Sequence, residues 1–518
     1  MIKAIELSFN PQQAVDDEFV KSAIASHLQI HSSNISEVQM IKKSIDARKS
    51  NIKINIRFNV FIDEKAINQL NYTDSFPDVT SAQSVIIVGA GPGGLFAALK
   101  LIELGLKPIV LERGKDVHSR KIDIAAVNRN LSVNNESNYC FGEGGAGAFS
   151  DGKLYTRSNK RGNIQSILEL LVIHGADESI LYEAHPHIGT DKLPIVIENI
   201  RKTIISHGGS FVFNCNVSSF IIKNKKIKGV IDSNKNIYNA DNIIIATGHS
   251  ARDIFTLFKE QKLKIEPKPL AIGLRVEHPQ ILINNIQYHA SKDIKYLPNA
   301  SYNLVNQVDG RGVFSFCMCP GGTIVPASTE AGEVVVNGMS NAKRNSPFAN
   351  SGMVVQINYE DIKEYHKFDD FAFLEFQKDI EQAAYHKVGN VVEAPAQRMN
   401  DFVNKKSSFN LVETSYFPGV KSANLHDILP SFISEKLRKG FQHWGKTMPG
   451  FLTNEAMLLG VESRTSSPIR ITRNPESLEH IEIKGLYPCG EGAGYAGGIV
   501  SSAMDGVRIA EKIAGAIK

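Results

Sequence analysis

Cysteine is scarce: the 518-residue chain holds five, Cys140, Cys215, Cys317, Cys319 and Cys489. They form no C-x-x-C pair, which argues against structural zinc and cysteine-ligated iron–sulfur clusters. A set so sparse and odd in number is not a disulfide framework. Long apolar runs are also lacking: none approaches the ~20 residues that span a bilayer. The opening MIKAIELSFN has no cationic segment followed by an apolar one, unlike a signal peptide. Charge of one sign is missing too. Lys and Arg number 58 against 54 Asp and Glu, a net +4. That gives no reason to make nucleic acid or an anionic membrane the main partner. No repeats or low-complexity tracts stand out. The expectation is a cytoplasmic chain of two or three domains with a large core.

What is present centres on Ser84 to Gly114. The apolar run Val85 to Val88 leads into G-x-G-x-x-G at Gly89, Gly91 and Gly94, with Ala90, Pro92 and Gly93 between them. A helical pattern follows to Gly105, then a second apolar run, Ile109 to Leu111, ending on Glu112 and Arg113. Strand, turn, helix and strand in this order predict a dinucleotide-binding βαβ unit. Gly89 permits the sharp turn, Gly91 lets a pyrophosphate approach the backbone, and Gly94 lets helix and sheet pack closely. The helix N-terminus offers unpaired N–H groups to phosphate. The Glu112 carboxylate can accept hydrogen bonds from a ribose diol.

Residues 1–80 read as a separate small α+β module in βαββ order, with a strand at Ile5 to Phe9, a helix over Ala14 to Leu28, and strands at Ile35 to Ile45 and Ile52 to Ile62. Asn71 to Ser81 reads as a linker, and SIDAR (Ser44 to Arg48) as a solvated turn. Glycines crowd residues 142–147, including Gly144 and Gly145 beside Ala146. Such density suits backbone N–H groups presented to a ligand, and Lys153 could pair with a phosphate or a reduced flavin. Phe211, Phe213, Cys215 and Val217 alternate as one strand, and Asn242 to Gly248 (NIIIATG) is a buried strand ending in a small-residue turn. Residues 268–450 read as an inserted mixed α+β substrate domain. In GVFSFCMC (Gly312 to Cys319), Phe314, Phe316 and Met318 are expected on one face, and Ser315, Cys317 and Cys319 on the other. The chain then returns to strand, glycine turn and helix at Gly485 to Ile513, with Gly490, Glu491, Gly498 and Ile499 in the turn.

Three of these motifs together resemble FAD-binding flavoproteins of the glutathione-reductase and p-hydroxybenzoate-hydroxylase type: GAGPGG at 89–94 with Glu112, ATG at 246–248, and GEGAGYAGG at 490–498. The resemblance implies a Rossmann-like FAD domain made of residues 81–267 and 451–518. In it, Gly89–Gly94 hold the ADP half, Thr247 and Gly248 close under it, and Val217 lies near the adenine. Glu491 would bind the ribityl chain, where Asp is the commoner residue, and the N-terminus of the last helix would face the flavin. A narrower resemblance covers nearly the whole chain. FGEGGAGAFSDGKL, GLRVEHP, SFCMCPGG, VVNGMS, GVESRTSSP and GLYPCGEGAGYAGGI look like a bacterial family of FAD-dependent dehydrogenase-like proteins that carry an N-terminal α/β module.

The resemblance implies an FAD-dependent oxidoreductase that moves hydride or electrons between FAD and a small-molecule substrate. The flavin carries the electrons while the protein positions and polarises. A second G-x-G-x-x-G unit is absent, which argues against a two-nucleotide layout and leaves NAD(P)H as a transient electron donor. Cys317 and Cys319, at i and i+2 of a strand, are the sharpest catalytic candidates, with Cα atoms on the order of 6.5–7 Å apart. That lies at the edge of disulfide reach. Two inert cysteines packed between domains are the competing reading. Arg275, Glu277, His278, Glu462 and Arg464 could line the site. The alternatives are a flavin monooxygenase, and an RNA-acting flavoprotein using Lys42, Lys43, Arg48, Lys49, Lys53 and Arg57 as a clamp.

Overall fold

The computed structural model describes residues 1–64, 76–130, 133–156 and 162–517; the part of the expected linker at 71–75 lies outside them. Residues 1–64 form the expected βαββ unit. Ile2–Phe9, Lys53–Ile62 and Ile35–Asp46 lie in that order in an antiparallel sheet. Ile54, Ile56, Phe58 and Val60 alternate onto one face and bury against Val20 and Ile24 of helix Asp17–Leu28. Asp16 caps that helix by accepting from the Phe19 N–H at 3.0 Å.

The far hairpin end of this module is docked through its backbone, while the Arg48 side chain of the SIDAR segment stays solvated, at 87% exposure. Lys43 donates its N–H to the Tyr182 carbonyl at 2.7 Å and accepts from Ala184 N–H at 3.0 Å. The Ala47 carbonyl meets His289 Nε2 at 2.9 Å. Ile52 is buried in the core of the largest sheet. Two cations of the supposed clamp are already engaged: Lys43 pairs with Glu183 and Arg48 with Asp46.

The second unit is a parallel five-stranded sheet in the order Leu486–Pro488, Ile243–Ile245, Ser84–Val88, Lys107–Leu111 and Ser210–Val212. Its central strands are apolar throughout because both faces are covered. Val85 and Ile87 pack with helices Pro92–Glu103 and Ile499–Ile517. Ile86, Val88, Ile243 and Ile245 face an antiparallel meander, Val217–Lys223, Lys226–Asp232 and Ile237–Asn239. The expected single strand through Phe211 to Val217 is split. Asn214 adopts φ +54°, so the chain leaves the parallel sheet and turns into the meander.

The third unit is a seven-stranded sheet in the order Val305–Val308, Arg311–Cys319, Phe348–Ile357, Leu270–Pro279, Met457–Glu462, Ala394–Arg398 and Val420–Ser422. Helices Ala372–Lys387 and Ser431–Thr447 contribute to its core. Met457–Glu462, beyond the boundary expected at 450, is a central strand here. The faces expected along Gly312 to Cys319 are not observed. Val313 and Met318 both enter the core, and the register against Phe348–Ile357 shifts between Phe316 and Cys319. A bulge centred on Cys317, at φ +47°, reverses the alternation.

Candidate active site

Parallel strands place their carboxyl ends on one edge, and ligands bind in the crevice there. Gly89, Ala246 and Cys489 each follow such a strand. The cleft they open holds about 1790 Å³ of space, its open mouth included. It runs from Glu112, Arg113 and Val217 past Gly91 and Gly145 to Lys153, Cys317, Glu491 and Gly498.

The glycine turn is shaped by close backbone contact. A Cβ on Gly89, which sits at φ +105°, would lie 2.5 Å from the Ala246 carbonyl oxygen. Gly91 caps helix Pro92–Glu103 with no side-chain hydrogen bond, and a Cβ there would meet nothing nearer than 4.0 Å. Gly91 therefore faces open space at a helix N-terminus, where an anion is favoured. Glu112 is buried and holds three backbones together. Its carboxylate accepts from the N–H groups of Ala90 at 2.8 Å, Gly114 at 2.9 Å and Gly142 at 3.1 Å. Arg113 pairs with Glu136 and Asp253 and lies over the Phe141 ring at 4.2 Å.

The opposite wall is the glycine loop at 142–147. Arg120, from helix Val117–Asn130, is wholly buried behind it. Its guanidinium donates to the carbonyls of Asn138 at 2.8 Å, Gly142 at 3.3 Å, Glu143 at 2.8 Å and Gly145 at 2.8 Å. This residue lies in a stretch with no motif, and no sequence signal marks it. At the third wall, Asp505 of helix Ile499–Ile517 accepts from Gly490 N–H at 2.8 Å and pairs with Arg473. Gly497, Gly498 and Gly248 face open space, for a Cβ on any of them would meet nothing within 4 Å.

One end of the cleft is lined by reactive groups. Lys153 Nζ lies 3.8 Å from both Cys317 Sγ and Cys319 Sγ and 3.3 Å from Asp151. Asp151 is buried; it also pairs with Arg344 at 2.5 Å and accepts from Ser340. Arg275, fully buried, donates to the Cys317 carbonyl at 2.8 Å and contacts Cys319 Sγ at 3.6 Å. It also pairs with Glu462 at 2.8 Å. A hydrogen bond from Cys319, with Lys153 and Arg275 beside it, holds the Cys317 thiol well below the ordinary thiol range despite its burial. The same bond, together with burial, pushes Cys319 well above it. Burial raises Glu491 to about 7, opposed by Lys268 and reinforced by Cys317. Burial likewise raises Glu462 to about 7 against the pull of Arg275. Cys317 holds the left-handed backbone region without being glycine, which costs ~1–3 kcal/mol and clusters at functional sites.

Of the residues singled out from sequence, Gly89, Gly91, Pro92, Gly93, Glu112, Arg113, Gly145, Ala146, Lys153, Val217, Thr247, Gly248, Cys317, Gly490, Glu491, Gly498 and Ile499 line this one cleft. Four stand behind it. Ala90 is buried, Gly94 packs against the Gly89 carbonyl, Gly144 packs against Ile197, and Cys319 is buried behind Cys317. Arg464 lines the cleft as well, and its guanidinium is locked to Glu333 at 2.8 Å and Glu381 at 2.9 Å. His278 does not reach the site. It packs at a tilt against the Phe451 ring with centroids 4.6 Å apart, and burial lowers it to about 4. Glu277 accepts from Ser415 instead. Phe316, Asn337, Asp151 and Tyr155 also line the cleft. Phe316 went unseen because strand alternation assigned it to the other face. A ligand with an acidic linker and a ribose fits this cradle: two open helix N-termini face one crevice with a carboxylate at its end.

Comparison with known proteins gives three family matches. Residues 269–465 match the FAD-dependent protein C-terminal domain-like family, and residues 83–257 match the pyridine nucleotide-disulphide oxidoreductase family. Residues 1–61 match a domain of unknown function, DUF8436. A protein of Clostridium beijerinckii of uncharacterised function is 39% identical over 525 residues, covering 97% of each chain. Among solved structures, the flavin-dependent brominase Bmp2 is 13% identical with a TM-score of 0.37, covering 84% of this chain and 80% of that one. Glycine oxidase from Bacillus cereus ATCC 14579 is 13% identical with a TM-score of 0.31, covering 84% and 96%. At such TM-scores neither likeness assigns a function.

Proposed function

The chain belongs to this family of FAD-dependent proteins, together with the Clostridium beijerinckii protein, and from that premise we propose how its cleft serves oxidoreduction. The enzyme is an FAD-dependent oxidoreductase, and its cofactor is FAD. When bound, FAD supplies two-electron transfer at its isoalloxazine ring. Gly91, Pro92, Gly93, Gly145 and Ala146 hold the pyrophosphate at the first helix N-terminus. Glu112, Arg113 and Val217 bind the adenosine end. Thr247 and Gly248 close the middle, and Gly490, Glu491, Gly498 and Ile499 take the flavin end. Gly89, Ala90, Gly94 and Gly144 shape the turn and the loop from behind.

Lys153, Cys317 and Cys319 serve the reacting end, Lys153 by holding positive charge there. The observation that carries this reading is the convergence of two open helix N-termini, the glycine loop and a thiol beside the Lys153 ammonium on one crevice. The substrate is a small molecule, the reaction a dehydrogenation or its reverse, and NAD(P)H a transient electron donor. We assign the protein to the cytoplasm. All five cysteines are free, as a reducing compartment keeps them, and among the described residues no helix is long and apolar enough to cross a membrane. Purified protein should be yellow and release about one FAD per chain on denaturation. Colourless protein that FAD cannot reconstitute would contradict the reading.

A further inference from the structure

Around Lys153, one group of charges balances only when a thiol is ionised. Lys153, Arg275 and Arg344 supply three positive charges, and Asp151 and Glu462 supply two carboxylates. Protonating Glu462 would only enlarge the deficit. The other titratable groups facing this cluster are Glu491 across the cleft, His187 beside Asp151, and the buried Tyr302 hydroxyl. Glu491 faces Lys268, so the two together add no net charge, and burial favours neutral His187 and Tyr302. Cys317 Sγ sits where that missing charge belongs, 3.8 Å from Lys153 Nζ.

The two sulfurs are arranged in depth. Cys317 lines the cleft, while Cys319 is fully buried behind it and its thiol donates to the Cys317 carbonyl at 3.3 Å. Across the bulge at Cys317, both sulfurs lie 3.8 Å from Lys153 Nζ. Inert packing needs no lysine ammonium set within reach of two thiols. An outer thiolate backed by an inner thiol is the layout that thiol–disulfide exchange requires, an attacking sulfur and a resolving one.

We propose that Cys317 and Cys319 form an exchange pair for a small-molecule disulfide, which names a substrate class for the cleft and rests on the FAD reading above. The Cys317 thiolate attacks one sulfur of R–S–S–R′. This forms Cys317–S–S–R and releases R′–S⁻. Cys319 gives its proton to that leaving thiolate and attacks Cys317 Sγ, breaking the mixed disulfide and releasing R–S⁻. The products are a Cys317–Cys319 bridge, R′–SH and R–S⁻. Two electrons pass from the pair to the substrate. In reverse, a small dithiol reduces the bridge and is itself oxidised. Lys153 acts through Cys317 as a positioning residue, keeping the sulfur ionised.

The test uses flavin-loaded protein and glutathione disulfide as the probe. The intact mass should fall by two hydrogens, and the peptide holding residues 317 and 319 should resist alkylation until it is reduced. Cys319→Ser should instead collect one glutathione on Cys317. Iodoacetamide should label Cys317 at pH 6 within about threefold of its rate at pH 8, whereas an ordinary thiol slows roughly 80-fold over that range. Lys153→Met should restore most of that slowing. The proposal is overturned if wild-type protein neither bridges nor takes up glutathione at Cys317, or if Cys317 shows the ordinary pH dependence. Flavin absorbance keeps the two claims apart. Yellow protein without exchange removes the exchange pair alone. Loss of colour removes the FAD reading, and mass still reports the exchange.

Discussion

Arg120 shows how much of the cleft hangs on a single buried side chain. Four loop carbonyls receive hydrogen bonds from its guanidinium. Hydrogen bonds from a charged donor are worth more than neutral ones, and acceptors left unpaired in a buried place are costly. Arg120→Leu should therefore destabilise the chain by ~3 kcal/mol and lower the FAD retained on purification, read by urea unfolding and flavin absorbance. Unchanged stability would mean that water replaces the guanidinium. Single residues were unevenly legible in the sequence. Gly91 and Glu112 stood out because a phosphate turn and a strand tip limit which residue types serve there. Arg120 did not, because its partners are carbonyls of a loop with no regular period. Cys317 was picked out by chemistry, while its backbone was misread. Alternation assumes an unbroken ladder, and a bulge is decided by pairing with a strand more than thirty residues further on.

At the scale of elements, the parallel strands and the helices that follow them were readable because both layers impose periods on the sequence. Val85 to Val88 is apolar at every position because helices cover one face and the meander the other. Helix Val117–Asn130 showed no such pattern: its mean hydropathy is low, and it serves the cleft through one arginine rather than through an apolar stripe. The break at Asn214 was hidden because Phe211, Phe213, Cys215 and Val217 keep the two-residue period across it. The turn after Ser84–Val88 is the element most sensitive to change. Gly89→Ala places a side chain at φ +105° and 2.5 Å from the Ala246 carbonyl oxygen. Left-handed backbone alone costs an L-residue ~1–2 kcal/mol, and the contact adds to it. The expected result is protein that folds with reduced stability and retains little FAD, measured as flavin per chain. Full FAD loading would show that this turn does not set the phosphate position.

On the scale of the whole molecule, the two larger units meet around the cleft rather than standing apart. The seven-stranded sheet sends in Phe316, Cys317 and Asn337. Among the described residues, none of the N-terminal module lines the cleft. It reaches both larger units through Lys43, Ala47 and Ile52. Sequence periodicity distinguished these units well, since each carries its own apolar pattern. It could not reveal their docking, because Ile52 reads as one more strand residue and Lys43 as one more surface cation.

The central claim is that four segments far apart in sequence, 89–94, 142–153, 246–248 and 490–499, hold one FAD. Hydrogen exchange on the FAD-free and FAD-loaded chain tests it most directly. The account predicts slower exchange on loading in all four segments, with the N-terminal sheet and the strand around His278 unchanged. Protection confined to one segment, or centred on another part of the molecule, would contradict it.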